Sequence, residues 1–250
     1  MAYTNSSLVS YTKLSPNHSG QRTHSIDRIT PHCVVGQLTA ESICGCFTSP
    51  SREASCNYGI GKDGKIALCV EEKNRSWCSS SSANDQRAVT IECASDLNHP
   101  YAMTTAVYNS LVKLCTDICR RNGKKKLLWL GDKNKTLNYS PKSDEMVLTV
   151  HRWFANKSCP GDWLYSRLGD LASKVTAALG GSSSSSAGSA LYRVRKSWSD
   201  AKSQKGAFNN LDNAKRCADS NAGYSVYDES GKVVYTGSRL HLVGQERHFW

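Results

Sequence analysis

The sequence has no apolar run approaching the ~20 residues that a membrane-spanning helix requires, which excludes a chain carried through a bilayer by helices. It opens on MAYTNSSLVSYTKL, with no charged start followed by an apolar stretch, so no signal peptide is visible. The expectation is a chain made and kept in the cytoplasm, or exported by a route its own sequence does not encode. It shows no internal repeat, no RNA-binding signature and no regularly spaced finger motif. Acidic residues are also few: 21 Asp and Glu stand against 32 Lys and Arg, a formal net charge of +11. That imbalance points to an acidic partner but gives only its sign, and a basic surface serving solubility is the bland alternative. Cysteine is not lacking. The count of 11 is odd and shows no framework spacing, which predicts reduced thiols rather than a set of disulfides. Cys69, Cys93, Cys115 and Cys119 lie within apolar patterns, where a buried cysteine behaves as a small hydrophobe.

With 250 residues, 39% hydrophobic and 21% charged, the chain has room for a medium domain plus a small one. The tract Gly180 to Ala190, Gly and Ser almost throughout, cannot bury apolar area and is expected to act as a flexible linker. It separates a first domain, 1–179, from a second, 191–250. In the first, Cys33 to Val35, Asn57 to Ile60, Ile66 to Val70, Ala88 to Cys93 and Leu127 to Leu130 read as strands, and Ala40 to Phe47 as a short helix. Ala102, Val107, Leu111, Leu114, Cys115 and Ile118 recur at helical spacing; Asn98 and Pro100 suit the start of that helix and Asn122-Gly123 its end. Leu164, Leu168, Leu171, Val175 and Leu179 mark a final amphipathic helix. Strands interleaved with helices predict an α/β domain with a mixed central sheet flanked by helices.

Gly59-Ile-Gly61-Lys-Asp-Gly64 matches the dinucleotide fingerprint letter for letter. That fingerprint needs a helix after the glycines, whereas Lys65 to Val70 is a strand pattern and Asp63-Gly64 is a hairpin turn dipeptide, so it is rejected. The segment richest in chemistry is His151 to Cys159, where a histidine and a cysteine bracket a short loop with Lys157 two residues before the thiol. Pro160 and Gly161 then turn the chain. Thr30-Pro-His32 offers a second imidazole beside a predicted strand. Imidazole and thiolate are both good zinc ligands, and three protein ligands leave the open position that marks a catalytic site. On spacing alone, each histidine also reads as a hydrogen-bonded core or surface residue.

His32 in Thr-Pro-His, the hairpin Cys-Asn-Tyr58-Gly-Ile-Gly-Lys-Asp-Gly, the Thr-Ile-Glu92 strand and the closing His151…Lys157-Ser-Cys159-Pro-Gly stand in an order that resembles the peptidoglycan-recognition-protein-like (type 2) family of N-acetylmuramoyl-L-alanine amidases. The resemblance covers about residues 20 to 178. It implies that His32, His151 and Cys159 bind zinc and that Glu92 is general base. It further implies that Lys157 stabilises the oxyanion and Tyr58 positions or polarises the scissile amide. The bland readings are a salt-bridged strand residue for Glu92, core packing for Tyr58 and a solvated loop charge for Lys157. Trp77 matches a tryptophan lining the substrate cleft, but Cys78 stands where many relatives have histidine. Cys33, by strand alternation, is expected to point away from His32 into the core.

In the second domain, Leu191 to Trp198 reads as a strand, Asn210 to Cys217 as a helix, and Gly223 to Asp228 with Gly231 to Tyr235 as a hairpin. Tyr-Arg-Val-Arg-Lys-Ser-Trp, Asn-Leu-Asp-Asn-Ala-Lys and Gly-Tyr-Ser-Val-Tyr-Asp resemble the small carboxy-terminal domain of clostridial phage amidase lysins, implying a small α+β wall-binding module. Tyr192, Trp198 and Phe208 are expected to serve its core, while Arg193, Arg195 and Lys196 meet anionic groups. So short a domain also suggests homodimerisation through it. Residues beyond 239 give no pattern. The expectation is a phage-type endolysin made in the host cytoplasm and acting on the wall after release. Its partners would be peptidoglycan and associated wall polymers, whose teichoic acid phosphates and peptide carboxylates suit the basic charge, and neither nucleic acid nor membrane. The rivals are a non-catalytic peptidoglycan-binding protein of the same fold, a basic nucleic-acid-binding protein and a wall peptidase of other bond specificity.

Overall fold

The computed structural model describes residues 3–180, 191–208 and 211–237. Residues 181–190 of the expected linker, Asn210 of the expected helix and the tail beyond 239 lie outside the described residues. The chain divides into two compact units, Met1–Ser183 and Ser184–Trp250.

The first unit is built on β1 (Val9–Thr12), β2 (His18–Gln21), β3 (Arg28–Cys33), α1 (Ala40–Gly45), β4 (Tyr58–Ile60), β5 (Ile66–Leu68), β6 (Asn74–Ser76), α2 (Ser82–Arg87), β7 (Ala88–Cys93), α3 (Thr105–Arg121), β8 (Lys126–Leu128), α4 (Lys133–Leu137), β9 (Glu145–Leu148), α5 (Asp162–Tyr165) and α6 (Leu168–Ala178). Seven strands form one sheet in the order β1-β5-β4-β7-β3-β9-β8. From β4 to β8 all neighbours run parallel, while β5 returns antiparallel to β4 and β1 lies parallel to β5. β2 and β6 pair separately and antiparallel. Strand β3, next to the central β7, is buried at every position, as an interior strand covered on both faces must be.

Helix α3 lays Val107, Leu111, Leu114, Cys115 and Ile118 against the sheet, the stripe that the sequence spacing predicts. It starts later than expected. Thr104, not Asn98 or Pro100, caps it by accepting from the Val107 amide, while Asn122 ends it as read. The expected final helix is broken into α5 and α6, with Ser166 closing α5 and Arg167 preceding α6. Helix α1 packs on the opposite face, so close that a Cβ on Gly59 would lie 2.7 Å from Ile43 Cγ2 and one on Gly61 2.4 Å from the Ala40 amide nitrogen. These glycines serve helix packing, and Gly64, at φ +85°, makes the β4–β5 turn.

The expectation of reduced thiols fails at one pair. Cys44 of α1 and Cys69 just after β5 are joined as a disulfide, with Cα atoms 5.3 Å apart. Packing α1 on β5 brings together two sulfurs that no spacing rule in the sequence links. The other nine cysteines are free.

The second unit is a four-stranded antiparallel sheet, β11-β10-β12-β13, made of β10 (Tyr192–Arg195), β11 (Gly206–Phe208), β12 (Ser225–Tyr227) and β13 (Val233–Thr236). Helix α7 (Leu211–Asp219) covers it, with Val194, Ala214, Ala218, Tyr224 and Val226 as core. Tyr192 and Phe208 pack against that core as expected. Trp198 does not: it is 36% exposed, resting over Gly231 with Arg195 above its ring, because the chain has left β10 before reaching it. Among the described residues no helix is long and apolar enough to cross a membrane.

Candidate metal centre

Strand register decides which side chains share a face. In the β3–β7 pairing His32 lies beside Glu92, and in β4–β7 Gly59 lies beside Glu92. Since Gly59 faces α1, His32 and Glu92 share the α1 face of the sheet. Tyr58 is paired with Ile91 and therefore points the other way. There its fully buried hydroxyl donates to Glu72 Oε1 at 2.6 Å and accepts from the Ser6 amide at 2.8 Å, with Arg121 of α3 closing the cluster on Glu72. Tyr58 is thus not brought to the cleft, and the role that the resemblance implies for it has no geometric basis here.

His151 opens the turn after β9, held two residues beyond Thr149 as His32 is held two beyond Thr30. The two threonine hydroxyls lie 2.7 Å apart, and the buried Asn84 of α2 donates to Thr30 Oγ1 and accepts from Thr149 Oγ1, each at 3.0 Å. This clamp ties β3 to β9 directly beneath the two imidazoles, whose centroids are 5.1 Å apart. Cys159 arrives on the following loop, where the Arg152 amide donates to its carbonyl. Gly161, at φ +81°, turns the chain so tightly that a Cβ there would meet Tyr101 Cβ at 2.8 Å.

One ligand-capable atom from each of His32, His151 and Cys159 lies within 4.8 Å of the others. Cys159 Sγ is 3.2 Å from His32 Nδ1. Tetrahedral zinc bonded to nitrogen and sulfur at ordinary lengths sets them ~3.5 Å apart, so the spacing fits. His32 is sealed from solvent, and burial together with the nearby His151 holds it well below the usual imidazole range, hence neutral with a lone pair to give. Burial, with the Lys157 charge, also lowers His151. His32 Nε2 and Glu92 Oε2 are both buried without a hydrogen-bond partner. A carboxylate with an unsatisfied oxygen, close to His32 Nδ1 and to a thiol, fits a cation better than an apolar pocket. Burial pushes the Cys159 thiol up, helped by Cys33 and Glu92, so a metal must displace its proton.

Glu92 Oε1 lies 3.9 Å from His32 Nδ1 and 3.9 Å from Cys78 Sγ. Burial pushes its carboxyl up to about 7, against smaller downward effects of Cys78 and Arg52. His32, Cys78 and Glu92 form a second ligand-capable group sharing His32 with the first. The site lies in a cleft of about 890 Å³ lined also by Trp77, Lys157, Arg52, Arg75 and Ser80. Lys157 is exposed on its rim. Trp77 forms part of the wall, its indole donating to Ser19 Oγ at 2.6 Å. Another wall, Phe47 to Ala54, is pinned by the Asn17 amide, which donates to the Phe47, Ser49 and Ala54 carbonyls.

Cys33 departs from expectation. It is buried and belongs to the core, yet it also lines the cleft, close enough to Cys159 to push that thiol up. β3 ends at Cys33, and by Val35 the backbone has turned to φ +56°, so strand alternation no longer applies. Sequence reasoning missed Ser80, whose Oγ lies 2.9 Å from His151 Nε2, because one serine among four consecutive serines carries no signal. It also missed Cys56, buried close enough to Glu92 for that carboxyl to raise its thiol beyond the effect of burial.

Residues 22–162 match the family described as N-acetylmuramoyl-L-alanine amidase. A comparison with curated proteins gives no match. Solved structures similar to this chain include PlyL, at 16% identity over 66% of this chain and 95% of that one, with a TM-score of 0.47. AmpD follows at 18% identity, 67% and 98% coverage and TM-score 0.47. The endolysin amidase LysCS from Clostridium intestinale URNW stands at 15% identity, 70% and 98% coverage and TM-score 0.41. At such scores they add nothing to the fold described above.

Proposed function

The chain belongs to the N-acetylmuramoyl-L-alanine amidase family, and on that premise we propose that it is a zinc-dependent, phage-type endolysin cutting the amide between N-acetylmuramic acid and L-alanine. The observation that carries the zinc reading is the convergence of His32, His151 and Cys159 beside an unpartnered Glu92 oxygen, with His151, Cys159 and Glu92 lining the cleft. Members of this family are typically zinc enzymes. Bound there by two neutral imidazoles and a thiolate, the ion would supply Lewis acidity toward water and the scissile carbonyl.

The chain's own groups do the rest. Glu92, desolvated and poised near neutrality, accepts a proton from the attacking water and returns it to the leaving amine. Lys157, free to swing at the rim, meets the oxyanion as its charge develops. Trp77 offers an aromatic wall along which the substrate lies. The second unit, carrying Arg193, Arg195 and Lys196 and the exposed Trp198, would hold the enzyme to anionic wall polymer and raise its local concentration. Its resemblance to the terminal domain of clostridial phage lysins supports the phage-type reading and action at the wall after release. Dimerisation through this unit belongs to the same proposal.

Digestion of purified peptidoglycan separates the readings. New amino-terminal alanine on released stem peptides is the expected product. Binding without release would leave a recognition protein, and internal stem-peptide fragments would mean a peptidase.

A further inference from the structure

The imidazoles of the metal triad differ in how their second nitrogen is treated. His32 Nε2 is buried and unpartnered, whereas His151 Nε2 meets Ser80 Oγ at 2.9 Å. Ser80 is held there by construction. Its φ is +61°, a conformation uncommon for a residue with a side chain and one that persists only where its surroundings over-determine it. Those surroundings are visible. The amides of Cys78 and Ser79 both donate to Asp85 Oδ2, at 3.0 and 3.1 Å. Asn84 Nδ2 donates to Ser79 Oγ, and Ser81 Oγ caps α2 by accepting from the Asn84 amide. Residues on both sides of Ser80 are therefore fixed to α2, and the hydroxyl between them is turned onto the imidazole.

Resting on the zinc reading above, we propose that Ser80 is a positioning residue: its hydroxyl accepts the Nε2 proton of His151 and so presents Nδ1, with its lone pair, to the metal. A neutral imidazole carries its proton on one nitrogen only, and the hydrogen bond at one nitrogen selects the tautomer that makes the other a ligand. The same bond stops the ring from flipping at the half-exposed mouth of the cleft, a restraint His32 does not need because it is walled in on all sides.

The test uses the full chain as native protein, Ser80→Ala and Ser80→Gly. The alanine keeps the strained backbone and removes the hydroxyl, while the glycine removes both. Zinc affinity is measured by competition with an indicator chelator, and the His151 tautomer of the metal-free protein by nitrogen-15 chemical shifts. Both variants should bind zinc on the order of tenfold more weakly than native protein, and His151 should pass from a dominant Nε2-protonated form to a mixture. Native affinity in both variants, or recovery in the glycine variant alone, would overturn the role of the hydroxyl while leaving the zinc site standing. Failure of native protein to bind zinc would overturn both.

Discussion

Burial pushes the Glu92 carboxyl up to about 7 from an ordinary 4.5, so without metal the folded chain holds this proton more tightly than the unfolded chain does. Ionising Glu92 in the fold is therefore a stability penalty. It is absent below 4.5, grows as pH rises from 4.5 to about 7, and is constant above that. In chelator-treated protein, Glu92→Gln should raise the denaturation midpoint at pH 8 and leave it unchanged near pH 4, while in zinc-loaded protein the same substitution should abolish hydrolysis. A midpoint unaffected at pH 8 would mean the carboxylate is solvated. Zinc added to native protein should draw the Glu92 titration downward, which carboxyl carbon-13 shifts would follow. Tyr58 provides the contrasting case. Tyr58→Phe strips a partner from the Ser6 amide and from Glu72, at about 1–2 kcal/mol of stability, and should leave kcat near the native value. A large loss of kcat without loss of stability would return Tyr58 to the chemistry. The hairpin motif gave its sequence position, but only the register with Ile91 shows which face it occupies.

At the scale of elements, the active geometry depends on β3 and β9 being locked together beneath His32 and His151. Asn84→Ala leaves the Thr30 and Thr149 hydroxyls without their shared amide and should cost about 1–3 kcal/mol in chemical denaturation, with weaker zinc binding alongside. Unchanged zinc affinity in a destabilised Asn84→Ala protein would show that the clamp serves folding alone. α3 was legible because five apolar residues repeat at helical spacing over its whole length. The clamp was not, since α2 has only six residues and buries the polar Asn84 and Asp85 instead of an apolar stripe. β6, with three residues, and α4, with five, are likewise too short for a period to show. The break between α5 and α6 escaped notice because Leu164 and Leu168 keep helical spacing across it and both are buried.

Over the whole molecule, the sequence order of His32, Glu92, His151 and Cys159 was informative while their spacing was not, because β3, β7 and the turn and loop after β9, far apart in the chain, bring them together. The Cys44–Cys69 bond is invisible for the same reason in reverse, being set by α1 packing on β5 within a cysteine count that argues against disulfides. The measurement that bears most directly on the zinc-amidase reading is hydrolysis as a function of bound zinc. Native protein stripped by a chelator and titrated back should regain release of amino-terminal alanine from walls in proportion to zinc bound, saturating at about one ion per chain, and Cys159→Ser should neither hold the ion nor release alanine. Undiminished release by fully stripped protein, or by Cys159→Ser, would contradict it.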